Sequence, residues 1–207
     1  MIYTDRAFAG RALGARLAHL RVEDPLVLGL PRGGVPVAAV VRDIIGGDLD
    51  ILLVRKLGVP SQPELAMGAI GEDGVRVFNP DVLEHTGITP EQCAEIEALE
   101  RAELLRRTGV LRGSAEPIPL GGRNVVIVDD GMATGATVVV ACRVARLRQS
   151  ARIVVAVPVS SSEALRRVAA EADDVVCPLV PKTLGGVGAA YEDFHQLADD
   201  EVTALLD

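Results

Sequence analysis

Apolar residues along this chain fall into compact runs of four or five and into helical spacings, and the two alternate in the order of an α/β domain. Phe8, Leu13, Leu17 and Leu20 recur at helical intervals, which predicts an amphipathic helix over residues 4–20. Pro25 opens the run Leu26-Val27-Leu28-Gly29-Leu30, a first core strand. The turn Pro31-Arg32-Gly33-Gly34 follows. Pro36 then stands in a first helical turn, where its missing N–H costs nothing, and Gly46-Gly47 ends that helix after Ile45. Residues 50–54 form a second buried strand, so the unit implies parallel pairing and a right-handed crossover. Apolar residues at 65–70 and 75–78 flank Gly71-Glu72-Asp73-Gly74, the pattern of a hairpin, and Asn79-Pro80 breaks it. Thr89-Pro90-Glu91-Gln92 marks a helix start, with Thr as cap, Pro first and Gln third. That helix carries Glu97/Arg101 and Glu103/Arg107 at i,i+4 spacing, reads as solvated, and stops near Gly109. Residues 110–123 read as a surface connection. Further strands are expected at 125–128, 153–157 and 175–179, with helices from Thr137, over 161–172 and over 199–206.

A length of 207 residues suits one well-buried domain, read here as residues 1–207. The chain is 49% hydrophobic and 24% charged, as in soluble globular proteins. A net charge of −8 without an offsetting basic run argues against nucleic acid as the main partner. No apolar stretch reaches spanning length, and the first residues lack a signal peptide's apolar core, so no membrane partner and a cytoplasmic location are expected. Cys93, Cys142 and Cys177 lack paired spacing and read as small apolar fillers. His19 and His85 have no chemical company in sequence, and His195 reads as a surface or hydrogen-bonded residue.

The most informative stretch is Asn124 to Thr137, NVVIVDDGMATGAT. A β-branched run of the kind buried on both faces of a parallel sheet leads into two carboxylates, Asp129 and Asp130. Gly131, Met132, Ala133, Thr134, Gly135, Ala136 and Thr137 follow, a thin loop whose backbone N–H groups can form an anion nest, helped by two hydroxyls and a helix N-terminus. An acid pair alone also serves to cap the next helix. A Lys-bearing nucleotide loop is ruled out, since no Lys follows the glycines. Acids for vicinal hydroxyls beside a phosphate loop fit a phosphorylated sugar.

VVIVDDGMATGAT resembles the phosphoribosyl-diphosphate (PRPP) signature of type I phosphoribosyltransferases, and RKLGVP with PELAMGAI resembles a group of stand-alone bacterial members. The resemblance implies a doubly wound, mostly parallel three-layer α/β/α fold. It implies strand order 3-2-1-4-5-6 with the third strand antiparallel, a hood from residues 180–198 and the N-terminal helix, and a flexible lid over 57–74. It further implies transfer of the phosphoribosyl group from Mg²⁺-bound PRPP to a small-molecule acceptor, and a homodimer. On that comparison Asp129 and Asp130 hold ribose hydroxyls and the waters of Mg²⁺, and residues 131–137 hold the 5′-phosphate. Arg32, Gly33, Gly34, Arg55 and Lys56 meet the diphosphate, with Arg55 and Lys56 catalytic beside the two acids. By themselves PRGG is also an ordinary turn and Arg55-Lys56 a solvated pair. Tyr191 and Phe194 arrive together in a chain with two Tyr, three Phe and no Trp; they either stack a planar acceptor or pack the hood. Asp193 is a further candidate for a magnesium water. A PRPP sensor without turnover and an enzyme on another phosphosugar remain as alternatives.

Overall fold

The computed structural model describes residues 2–206, apart from the side chains of Val22, Glu64 and Asp73. Its centre is a five-stranded parallel sheet in the order β2-β1-β6-β7-β8. The strands are β1 (Leu26–Gly29), β2 (Asp48–Ile51), β6 (Asn124–Val128), β7 (Arg152–Ala156) and β8 (Asp174–Val176). A second sheet, antiparallel and three-stranded, is formed by β3 (Val54–Val59), β4 (Gln62–Gly71) and β5 (Arg76–Phe78).

Alternation along the central strands sets the layers. Leu26, Leu28, Val125, Ile127, Ile153 and Val155 face one side, against α5 (Ala136–Leu147) and α6 (Ser162–Val168). Val27, Val126, Val128, Val154 and Ala156 face the other, against α1 (Arg6–Leu17) and α2 (Gly34–Ile45). Each fully buried aliphatic side chain contributes about 1.5–3 kcal/mol of transfer free energy, which is why strands lined on both faces lie at the centre. The three-layer α/β/α arrangement is the expected fold.

Several boundaries differ from expectation. The helix expected over 4–20 is α-helical only to Leu17 and continues as a 3-10 turn, Ala18–Glu23; Phe8 on it is 44% exposed rather than part of the core. The run expected as one strand at 50–54 is divided: β2 ends at Ile51, Leu52 and Leu53 turn the chain, and Val54 begins β3. Arg55 and Lys56 therefore lie inside β3, not at the end of a parallel strand. The expected third strand likewise joins a separate sheet rather than the edge of the first. Residues 57–74, expected as a lid loop, fold as most of the β3–β4 ribbon and the turn before β5, with Leu57, Val59, Met67 and Ile70 buried.

Asn79 caps a short helix, α3 (Pro80–Thr86), absent from the sequence reading. The Thr89/Gln92 capping box opens α4 (Pro90–Leu111) as expected, but Gly109 lies within this helix instead of ending it. Beyond α4 the chain is not purely a surface connection, because the Arg112 side chain is only 6% exposed. A last helix, α7 (Asp199–Thr203), is shorter than the expected one. No helix among the described residues is long and apolar enough to cross a membrane.

Candidate functional site

Parallel register places the loops after β1 and β6 side by side. Gly29 pairs with Val128, and the Leu30 amide donates to the Val128 carbonyl at 2.9 Å, so Pro31-Arg32-Gly33-Gly34 lies directly against Asp129 and Asp130. These are neighbouring strands whose chains leave in opposite directions across the sheet, the place where open α/β sheets bind ligands. The Pro31–Arg32 peptide is cis. A Cβ on Gly33 would overlap the Asp130 carboxylate, and one on Gly34 would overlap the Val128 carbonyl, so only glycine permits this approach.

The two acids are held differently. Asp129 Oδ1 accepts from the Asp130 amide at 2.9 Å. Asp130 Oδ2 accepts from Arg6 Nε at 2.9 Å, and the Asp130 carbonyl accepts from the Tyr191 hydroxyl at 2.6 Å. Burial raises the Asp129 pKa well above the ordinary carboxylate value, and the neighbouring Asp130 charge raises it further. Burial also raises Asp130, while Arg6 pulls it back. Arg6 is the main contributor that sequence reasoning missed: it stands early in α1, 124 residues from its partner. Its Nη1 also donates to the His195 carbonyl at 3.0 Å, and its guanidinium lies 4.1 Å from the Phe194 ring centroid.

After the acids the chain is pinned from its carbonyl side. The Met132 amide donates to Val159 O at 2.9 Å, and Met132 O accepts from the Ser161 amide at 3.1 Å. Met132 is buried, so it anchors the loop and its amide is not available to a phosphate. Ser161 Oγ donates to Ala133 O, and Arg167 Nη1 donates to Thr134 O. Among the described residues the amides of Ala133, Thr134 and Gly135 have no acceptor, the condition for an anion nest. Gly135 has φ 73°, the left-handed turn that brings the chain into α5, and the Ala136 amide donates to Thr134 Oγ1 at 3.4 Å. Thr134 and Thr137 are both exposed.

Thr137 opens onto a cleft of about 610 Å³ lined also by Pro31, Arg55, Lys56, Glu100 and Arg107. The end of the phosphate-type loop, the turn after β1 and two of the three expected cations therefore share one space. Arg32 does not join them. Its Nη1 donates to Leu197 O at 2.7 Å and its Nε pairs with Asp199 at 3.0 Å, so the backbone of Gly33 and Gly34, rather than this side chain, faces the acids. Arg55 pairs with Glu100 of α4, a helix to which the sequence reading gave no chemistry.

In the region expected to form a hood, the N-terminus pairs with the segment before α7. Tyr3 N donates to Ala190 O, and the amides of Glu192 and Asp193 donate to the carbonyls of Tyr3 and Thr4. Tyr191 is 7% exposed, with its ring 5.6 Å from Tyr3 and its hydroxyl on the acid motif; burial pushes that hydroxyl's pKa up. It is a tether, not an open stacking platform. Phe194, 37% exposed, is the ring that remains accessible. Asp193 is exposed, and its Oδ1 holds the His195 ring and amide; Asp193 and Glu201 raise the His195 pKa. Burial pushes Cys142 up to about 12 and Cys177 up to about 11, consistent with inert filler.

A hard divalent cation fits the donor chemistry of the acid pair in one manner only. Among the described residues no three His, Cys, Asp or Glu side chains converge on a point, so a protein cage is not offered. Two adjacent, partly buried carboxylates suit Mg²⁺ kept largely by waters and substrate oxygens.

Comparison with known proteins bears on the family and the fold. The model of the phosphoribosyl transferase domain matches residues 7–192. A Mycobacterium tuberculosis H37Rv protein, provisionally named a phosphoribosyl transferase, is 50% identical over 206 residues. That match takes in 100% of this chain and 46% of the relative, so the chain spans about half the length of the protein it matches. The crystal structure of TT1426 from Thermus thermophilus superposes with TM-score 0.92 at 43% identity, covering 100% of this chain and 98% of that one. A hypoxanthine phosphoribosyltransferase from Staphylococcus aureus shares the fold at TM-score 0.51 and 14% identity, over 88% of this chain and 78% of its own.

Proposed function

The chain belongs to the phosphoribosyl transferase domain family, and from that membership we propose that it transfers the 5-phosphoribosyl group of Mg²⁺-bound PRPP to a small-molecule acceptor, releasing diphosphate. The observation that carries the proposal is the acid pair at the end of β6, set between the glycine turn after β1 and a loop with open amides.

In this reading Asp129 and Asp130 accept hydrogen bonds from the ribose hydroxyls. The amides of Ala133, Thr134 and Gly135, with Thr134 and Thr137, hold the 5′-phosphate. Gly33 and Gly34 let the backbone approach the diphosphate, and Arg55 and Lys56 meet it across the cleft. The C1–O bond to the leaving diphosphate breaks as the acceptor's lone pair forms the new bond. Negative charge grows on the leaving group, so most of the catalysis is positioning and electrostatic stabilisation. Magnesium, when bound, supplies a Lewis acid and template for the diphosphate and ribose oxygens. Phe194 is the surface offered to a planar acceptor, and the β3–β4 ribbon is the wall able to close over the site.

The test is diphosphate release from PRPP in Mg²⁺ with a panel of nucleobases and other nucleophiles, alongside calorimetry of PRPP binding. Binding that requires Mg²⁺ and release that requires one acceptor class are expected. Absence of PRPP binding at millimolar concentration would remove the reading.

A further inference from the structure

We infer that Glu100 of α4 occupies the leaving-group subsite as a stand-in anion, and that arriving diphosphate displaces it from Arg55. This rests on the phosphoribosyl reading above, and it assigns α4 a share in the site.

The geometry is specific. Glu100 Oε2 lies 2.6 Å from both Arg55 Nε and Arg55 Nη2. That edge of the guanidinium is one of those a phosphate oxygen engages in a paired contact. Glu100 can therefore hold Arg55 in the orientation a diphosphate needs, and must yield that edge when the ligand arrives. Ile96, Glu100 and Arg107 recur on one face of α4, and all three line the cleft shared with Lys56, Pro31 and Thr137. The carboxylate thus enters the space the ligand would take, in the same cleft as the end of the phosphate-type loop.

Exposure separates an exchangeable partner from a structural brace. The Arg55 and Glu100 side chains are 29% and 28% exposed, whereas those of Arg112 and Glu72 in their pair are 6% and 5% exposed. An ion pair open to solvent adds little to stability, so breaking it is cheap. A diphosphate brings more charge and more acceptor oxygens than one carboxylate and would win the exchange. Glu100 is accordingly a positioning residue that acts through Arg55, restraining the cation until the ligand arrives and raising the threshold for anions with a single weak charge.

The sign of the effect makes this testable with inorganic diphosphate in Mg²⁺, measured by calorimetry on the whole chain. Glu100→Gln and Glu100→Ala should bind diphosphate more tightly than wild type, by roughly three- to tenfold, the scale of a partly exposed ion pair. In an Arg55→Gln background the same substitutions should have no effect. That cycle removes the alternative that any lost negative charge near the cleft helps an anion. Circular dichroism confirms that each variant is folded. Weaker or unchanged binding in both Glu100 variants would make the pair a brace and overturn the inference. A gain that persists without Arg55 would overturn it too. Failure of wild-type protein to bind either diphosphate or PRPP would instead remove the phosphoribosyl reading, and the inference with it.

Discussion

Asp129 and Asp130 are adjacent in sequence yet face different demands. Burial and mutual proximity oppose charge on Asp129, while Arg6 gives Asp130 a partner. For a carboxylate raised above its unfolded value of ~4, the native state binds more protons than the unfolded one in the window between the two values. Stability therefore falls as pH rises through that window, and the pair titrates as a unit. Asp129→Asn should make the ligand-free protein more stable at pH 8, with the gain shrinking as pH falls below the folded value. Asp130→Asn should not show this gain, because it leaves the Arg6 side chain, 10% exposed, without its carboxylate. Both should weaken PRPP binding by ~10-fold or more, since charge-assisted hydrogen bonds are about twice as strong as neutral ones. Thermal unfolding at pH 6 and 8, with calorimetry, checks the set; an Asp129→Asn protein less stable at pH 8 would refute the burial argument. The acids were legible because strand, acids and small-residue loop are contiguous. Arg6 was not, because nothing local marks one arginine of an amphipathic helix as the partner of a distant carboxylate.

Among the elements, legibility followed the strength of local chemistry. The capping box at Thr89 and the buried run of β6 are local signals, and both appear where expected. The break between β2 and β3 is not local: Leu52 and Leu53 are as buried as Ile51, so no change in hydrophobicity marks the turn. Gly109 misled for a related reason. Glycine disfavours helix, but the last turn of α4 is held by Leu111 in the core and by the buried Arg112 that follows, which outweigh it. The residue is exposed, has no positive φ, and a Cβ there would meet nothing within 4 Å. Gly109→Ala should therefore stabilise the protein by about 0.5–1 kcal/mol through helix propensity and unfolded-state entropy. Urea unfolding measures it. A destabilisation would mean that this turn needs glycine for a contact the present structure does not contain.

On the scale of the whole molecule, the two sheets are joined by a buried polar cluster that no sequence pattern disclosed. Arg112 Nη1 donates to Asp50 of β2 at 2.6 Å, Nε donates to Glu72 after β4 at 2.9 Å, and Nη2 donates to Ile51 O at 2.9 Å. Asp50 also accepts from the amides of Ile51 and Ile118. Among the described residues no buried side-chain polar atom lacks a partner, so the cluster is satisfied as it stands. Beside it, Ile51 and Leu53 pack with Met67, Ile70 and Leu104 in one apolar group that spans β2, the ribbon and α4. Contacts of this kind should make the chain unfold as one unit. Arg112→Met removes the cation and strands two buried carboxylates, a loss of about 3–5 kcal/mol, against ~1 kcal/mol or less for a surface pair. Adding Asp50→Asn and Glu72→Gln to that variant should recover part of the loss, because the uncompensated charges are then gone. Urea unfolding followed by circular dichroism and by tyrosine fluorescence should give coincident transitions in wild type. Two separate transitions would divide the molecule at the β2–β3 junction. A loss below ~1 kcal/mol in Arg112→Met would show that the cluster decorates the junction instead of holding it.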